Sequence, residues 1–336
     1  MSVLLYADER FEHHDTGPHH PERAARLPAV IHGLATHDLL EGLERAAPRP
    51  ATDGELHLVH SERYVASMHN FCEAGGGHID ADTVVSRESA TIARLAAGAG
   101  VDAVERLRAG AADSAFLALR PPGHHATSTR AMGFCIFNNA AVAAASIAAG
   151  GERVLLVDID AHHGNGTQDI FYERGDVAYV SWHQQMLYPG TGAIDETGSA
   201  EGDGTTLNLP MPPGATGEHY RRSIEVIVAP FAERFGADWL IVSAGFDGHR
   251  ADPLTDLALT SGDFADITAD LLQLVDPGRR LVFLEGGYDL EAIAESAAGT
   301  VGALLGERIH PEAPSGGGPG GSVVSQVAEL RRRFDR

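Results

Sequence analysis

The chain is short of cysteine, short of basic charge and without a long apolar run. Cys72 and Cys135 are the two cysteines in 336 residues, too few for a disulfide framework or a cysteine-rich metal site, and their scarcity fits a reducing compartment. Lysine and arginine number 25 against 47 acidic residues, a formal net charge of -22. That deficit argues against electrostatic nucleic-acid binding, which needs a basic face, and favours cationic ligands. No stretch is long enough to span a membrane, and the N-terminus Met-Ser-Val-Leu-Leu-Tyr-Ala-Asp lacks the basic region and long apolar segment of a secretory leader. Together these absences predict a soluble, cytoplasmic protein with no direct nucleic-acid partner and no membrane partner. Oligomer formation is compatible with them.

What is present is a 43% hydrophobic content, enough to bury a large core as one big α/β domain or two ordinary ones. The apolar runs Val3–Ala7, Ser114–Leu119, Val154–Val157, Val177–Ser181, Trp239–Ser243 and Leu281–Leu284 read as buried strands, with a shorter one at Thr206–Leu209. Helical spacing covers Arg23–Leu34, Ser89–Arg108, Ala140–Ala149, Thr167–Glu173, Tyr220–Phe235, Phe264–Leu274 and Leu290–Leu305, and Asp38–Leu43 continues a helical surface. Alternation of this kind predicts a mainly parallel, helix-covered sheet whose strand C-terminal ends share one edge, where ligands bind. Only the end departs. It gives a main domain over 1–313, a Gly/Pro-rich linker over 314–322 and an amphipathic segment over 323–336.

Polar residues gather just past the strand ends. Asp158, Asp160 and His162 alternate after Val154–Val157, so in extended backbone their side chains point the same way. Two carboxylates and an imidazole aimed together make a plausible half of a metal site, although a polar turn capped by aspartate would read the same. His124 and His125 follow the extended Arg120-Pro121-Pro122-Gly123 turn, and adjacent histidines there suggest acid–base work. Asp247 and Tyr288 follow two further strands. Convergence of these residues on one rim is hard to explain as core satisfaction, because a buried carboxylate cluster without a cation repels itself. The histidines between Glu12 and Arg23 lie in a loop by composition and read as structural.

Arg-Pro-Pro-Gly-His-His at 120–125, Gly-Phe-Cys-Ile-Phe-Asn-Asn at 133–139, Asp-Ile-Asp-Ala-His-His-Gly-Asn-Gly-Thr-Gln at 158–168, Ser-Ala-Gly-Phe-Asp at 243–247 and Glu-Gly-Gly-Tyr at 285–288 resemble the zinc-dependent histone deacetylase family. The resemblance covers nearly the whole chain, from His20-Pro21-Glu22-Arg23 to the helix after Tyr288. Asn165 and Leu-Tyr-Pro-Gly-Thr-Gly at 187–192 look like class II members and the bacterial deacetylase-like and acetylpolyamine amidohydrolases. The fold implied is the three-layer α/β/α arginase/deacetylase-like domain with a central, mainly parallel sheet.

By the same resemblance, Asp160, His162 and Asp247 hold one zinc ion per chain, His124 pairs with Asp158, and His125 with Asn165. Gly133, Phe134 and Tyr188 border a narrow tunnel for the acyl-lysine stem, Leu254 sits at its mouth, and Arg23 lies beneath the site. Main-chain oxygens of Asp158, Asp160, His162 and Trp182, with the Ser181 hydroxyl, hold a structural potassium ion. The reaction implied is removal of acetyl or acyl groups from lysine side chains of proteins or peptides. Tyr288 donates to the oxyanion and acetate leaves. An acetylpolyamine substrate is the alternative. A two-metal ureohydrolase of related fold fits less well, and intact His125 and Tyr288 argue against a non-catalytic scaffold.

Overall fold

In the computed structural model, which describes residues 1–334, the strands are β1 (Val3–Tyr6), β2 (Leu43–Arg45), β3 (Gly77–His78), β4 (Val84–Val85), β5 (Ser114–Leu117), β6 (Val154–Asp158), β7 (Val177–Gln184), β8 (Thr206–Met211), β9 (Trp239–Ala244) and β10 (Arg280–Leu284), of which β2, β3 and β4 lie outside the expected apolar runs. β3 and β4 pair antiparallel as a small ribbon. The other strands form one eight-stranded sheet in the order β2-β1-β5-β10-β9-β6-β7-β8, and every neighbouring pair in it is parallel. Every residue of β1, β5, β6, β9 and β10 is buried, as near-continuous apolar strands covered by helices on both faces must be. The expected α/β/α architecture is therefore what the chain forms. Its parallel strands bring the C-terminal ends of β5, β6, β9 and β10 to one edge.

Helix packing depends on small residues. Leu290–Leu305 packs between Arg26–Thr36 and Ser261–Leu271, while Ser89–Arg108 packs with Asn139–Ala148. Gly33 lets the first pair approach so closely that a Cβ there would lie 2.1 Å from the Ala294 carbonyl oxygen. Gly217–Phe235 runs as two α-helical pieces joined by a π-helical turn over Ile224–Val228. Pro230 lies just after this turn and has no N–H to donate back along the helix.

Two expectations change. Leu43 does not continue a helix but opens β2, a three-residue edge strand whose Glu44 and Arg45 are exposed; short, charged strands of this kind suit a sheet edge. Residues 314–322 are pinned down rather than free. The Ser315 backbone N–H donates to Asp263 Oδ1 at 2.9 Å, the Gly317 N–H to Glu218 Oε2 at 2.7 Å, and Thr216 Oγ1 to the Gly317 carbonyl at 2.6 Å. Helix Gly321–Arg331 then buries Val323, Val324 and Val327 and packs against β8 and Gly217–Ser223. The end of the expected amphipathic segment, 335–336, lies outside the described residues. Among the described residues, no helix is long and apolar enough to cross a membrane.

Gly33→Ala tests the helix contact. Overpacking at such an approach should destabilise the fold by about 1–3 kcal/mol, read as a lower urea midpoint with an unchanged slope. An unaltered midpoint would mean that the two helices separate without cost.

Candidate active site

The site grows out of the end of β6. Asp158 closes the strand, and its Oδ2 lies 3.0 Å from His124 Nδ1 and accepts the Tyr179 hydroxyl at 3.0 Å. Two residues on, Asp160 turns toward His162, whose Nδ1 lies 3.1 Å from Asp160 Oδ1 and 2.8 Å from Asp247 Oδ2. Asp247 arrives from beyond β9. Each carboxylate is aimed by backbone: Asp160 Oδ2 accepts the Gly286 N–H at 2.8 Å, and Asp247 Oδ1 accepts the Ala161 N–H at 2.8 Å. One ligand atom from each of Asp160, His162 and Asp247 falls within 4.8 Å of the others, all three residues being buried.

Two anions and one imidazole so enclosed fit a cation. Burial disfavours a charged His162, yet Asp247 and Asp160 overcome it and push its pKa up to about 10. Burial and then the Asp160 charge push the Asp247 carboxyl upward. Both directions express the same demand for positive charge, which a metal ion meets with the three N/O donors typical of an open catalytic site. The cluster also depends on an absent side chain, because a Cβ on Gly245 would lie 2.0 Å from Asp160 Oδ2.

The two histidines differ by their partners. Burial alone would depress His124, but the Asp160 and Asp158 carboxylates prevail and raise its pKa to about 10. His125 is driven well below the ordinary imidazole range by burial, then by the charges on His124 and His162. Its Nδ1 lies 2.8 Å from Asn165 Oδ1, a neutral orienting partner. The ring centroids are 4.0 Å apart, with the planes tilted by 44°. These surroundings favour the imidazolium form of His124 and the neutral form of His125.

A cavity of about 250 Å³ opens from this cluster to the surface. His125, His162 and Tyr288 line it together with the expected Gly133, Phe134, Tyr188 and Leu254. Phe134 holds a left-handed backbone, φ 67°, rare for a bulky residue; its N–H donates to Thr83 Oγ1 at 3.2 Å. Its ring meets Tyr288 edge-on at 5.7 Å, and the Tyr188 ring meets His125 edge-on at 5.1 Å. Burial, then Asp247, keeps the Tyr288 phenol far above its ordinary pKa, so it remains a hydroxyl donor.

Ser181 lies on β7 in register with Asp158; its hydroxyl is 2.9 Å from His183 Nδ1. Trp182 is buried beside it, donating to Ser223 Oγ at 2.8 Å. The arginine under the site is Arg26, one helical turn beyond the expected Arg23, which is half-exposed. Arg26 Nε donates to the Gly287 carbonyl at 2.7 Å and its guanidinium sits 5.2 Å from the centre of the Tyr288 ring. The helix opens only at Arg26, so Arg23 stays in the turn before it, while Arg26 is buried and pairs with Glu22 at 3.2 Å. Asp82 also lines the cavity, and Glu285 lies buried behind the histidines.

Residues 20–304 match the histone deacetylase domain. The chain belongs to the histone deacetylase family. It is 40% identical over 319 residues to histone deacetylase 15 of Arabidopsis thaliana, which takes in 93% of this chain and 57% of that protein. It is also 40% identical over 276 residues to the histone deacetylase-like amidohydrolase of Pseudomonas aeruginosa, 80% of this chain and 71% of that one. A crystal structure of the HDA15 HD domain superposes with a TM-score of 0.91 at 38% identity, covering 99% of this chain and 95% of that one. This deacetylase-family chain thus spans a little over half the length of its plant relative.

Gly245→Ala should dislodge the Asp160 carboxylate and sharply lower bound metal per chain after dialysis, measured by elemental analysis. Metal content equal to the parent's would show that Asp160 does not need the space Gly245 leaves.

Proposed function

We propose that the protein is a zinc-dependent deacetylase that removes acetyl or acyl groups from lysine side chains of proteins or peptides. The observation that carries this reading is the Asp160–His162–Asp247 cluster at a cavity that also presents a neutral histidine and a tyrosine hydroxyl. Lewis-acid polarisation of the acyl carbonyl, and acidification of the attacking water, are what zinc would supply there. Neutral His125, oriented by Asn165, accepts the proton of that water and returns it to the departing amine. His124, whose Nδ1 lies 3.0 Å from Asp158 Oδ2, is the poorer base, because that carboxylate favours its imidazolium. Tyr288 donates its hydroxyl to the developing oxyanion. Arg26 supports the loop that carries Tyr288. Phe134 and Tyr188 exclude water from the acyl-lysine stem. The single three-ligand cluster among the described residues favours one cation over the paired metals of a ureohydrolase.

A structural potassium ion is part of the same reading. Ser181 beside Asp158 in the sheet supports it, since hydroxyl and main-chain oxygens suit a hard cation. Cys72 and Cys135 are both buried and unpaired, in keeping with work in a reducing compartment such as the cytoplasm.

The substrate's identity turns on the cavity mouth. Leu254 is apolar and 37% exposed there, which suits an acyl-lysine stem and offers no partner to an inner ammonium. Asp82 lines the same cavity, so an acetylpolyamine is the second reading. The test is kcat/KM for an acetyl-lysine peptide against N-acetylputrescine and N8-acetylspermidine, the ratio that defines specificity. The parent should favour the peptide, and Leu254→Glu should shift the ratio toward the polyamines by tenfold or more while Asp82→Asn shifts it away. A parent that prefers either polyamine by tenfold would overturn the lysine assignment.

A further inference from the structure

Glu285 is fully buried, and none of the chemical steps above uses it. It follows β10 and stands three residues before Tyr288. Its backbone N–H donates to the Ala244 carbonyl at the end of β9 at 3.0 Å. Its side chain reaches the opposite way, into the loop that carries the histidines. Oε2 accepts the Gly123 N–H at 2.7 Å and the His124 N–H at 3.2 Å, and Oε1 accepts the Ser243 hydroxyl at 3.0 Å. Ser243 lies in register with Asp158 on one side and Phe283 on the other. Glu285 therefore touches the histidine loop directly and belongs to the strand end that leads to Tyr288. Through Ser243 it also touches the strand that leads to Asp247.

We propose that Glu285 is a positioning residue: one carboxylate oxygen gathers the Gly123 and His124 N–H groups, the other is braced by Ser243, and the histidine pair is thereby fixed relative to Tyr288 and Asp247. This rests on the hydrolase reading for its kinetic consequence. The physical requirement is local. Gly123 and His124 lie in a turn, buried and outside any helix or strand, so their N–H groups have no ladder partner and would be costly to leave unpaired. His124 is then held at two points, its N–H by Glu285 and its ring by Asp158. His125, the next residue, inherits that placement. A displacement on the order of 1 Å at a reacting group can cost about 10²-fold in rate. Glutamine at 285 can still offer one carbonyl oxygen to both N–H groups and turn its amide toward Ser243 Oγ, whereas alanine offers neither.

The experiment compares the zinc-loaded parent with Glu285→Gln, Glu285→Ala and Ser243→Ala. It measures kcat and KM on an acetyl-lysine peptide, bound metal, and amide hydrogen exchange across 121–126. Glu285→Ala should lower kcat about 10²-fold with KM and metal content near the parent's, and should speed exchange at Gly123 and His124 by tenfold or more. Glu285→Gln should restore kcat to within about fivefold of the parent and restore the slow exchange. A general loss of stability would not divide the two variants along kcat alone. Should Glu285→Ala fail to fold, Ser243→Ala decides, and the expectation is a lower kcat at unchanged KM and metal. Parental kcat in Glu285→Ala, or in Ser243→Ala when it must decide, overturns the proposal, as does a glutamine variant as slow as the alanine one. A parent that hydrolyses no acyl amide overturns the hydrolase reading instead, and the exchange rates still decide whether Glu285 holds the loop.

Discussion

The structure depends on how it compensates negative charge buried at one sheet edge. Asp158, Asp160, Asp247, Glu22 and Glu285 are each no more than 1% exposed, and an isolated carboxylate cannot remain ionised in such surroundings without a partner. Each finds a different one. Glu22 takes two guanidinium groups, with Arg120 Nη2 at 2.7 Å and Arg26 Nη1 at 3.2 Å, which bring its pKa down to about 2 against the opposing effect of burial. Asp158 has His124, whose imidazolium it helps to create. Glu285 has backbone N–H groups and a serine hydroxyl. Of these, the Asp160–His162–Asp247 group is the one that borders the cavity, and a cation there would meet its charge.

The fold makes this arrangement affordable by spending rigid backbone on it. Parallel strands deliver Asp158, Asp247 and Tyr288 to one edge without long loops, and the backbone N–H groups of Ala161 and Gly286 aim the carboxylates. Preorganisation of this kind lets the same groups serve the ground state and the reaction with little rearrangement. The two adjacent histidines acquire opposite characters: carboxylates raise His124 against burial, whereas burial and the charges on His124 and His162 depress His125.

The buried strands and two of the three clustered residues are legible as local patterns, since apolar runs are short and continuous and Asp160 and His162 lie two residues apart; Asp247, 85 residues from His162, enters through the family resemblance. What escaped was set by contacts between distant segments. Glu285 gains its meaning from Gly123 and Ser243, 162 and 42 residues away, and no spacing rule links them. Arg26 rather than Arg23 faces the site because its guanidinium is claimed by Glu22 and the Gly287 carbonyl, 4 and 261 residues away. Leu43 falls at the end of the expected helical stretch because β2, three residues with two of them charged, carries too little pattern of its own. The 314–322 segment looks like a flexible linker by composition, yet its exposed backbone groups are claimed by Asp263, Glu218 and Thr216. Composition describes the freedom of an isolated segment and is silent about the partners waiting for it.

The central claim is that one cation completes this buried charge and enables amide hydrolysis. Titration of chelator-stripped protein with zinc, followed simultaneously by calorimetry and by turnover of an acetyl-lysine peptide, tests it most directly. The account predicts negligible turnover in the stripped protein and a rise that breaks at one zinc per chain. A break at two zinc ions per chain, or full turnover without added metal, would contradict it.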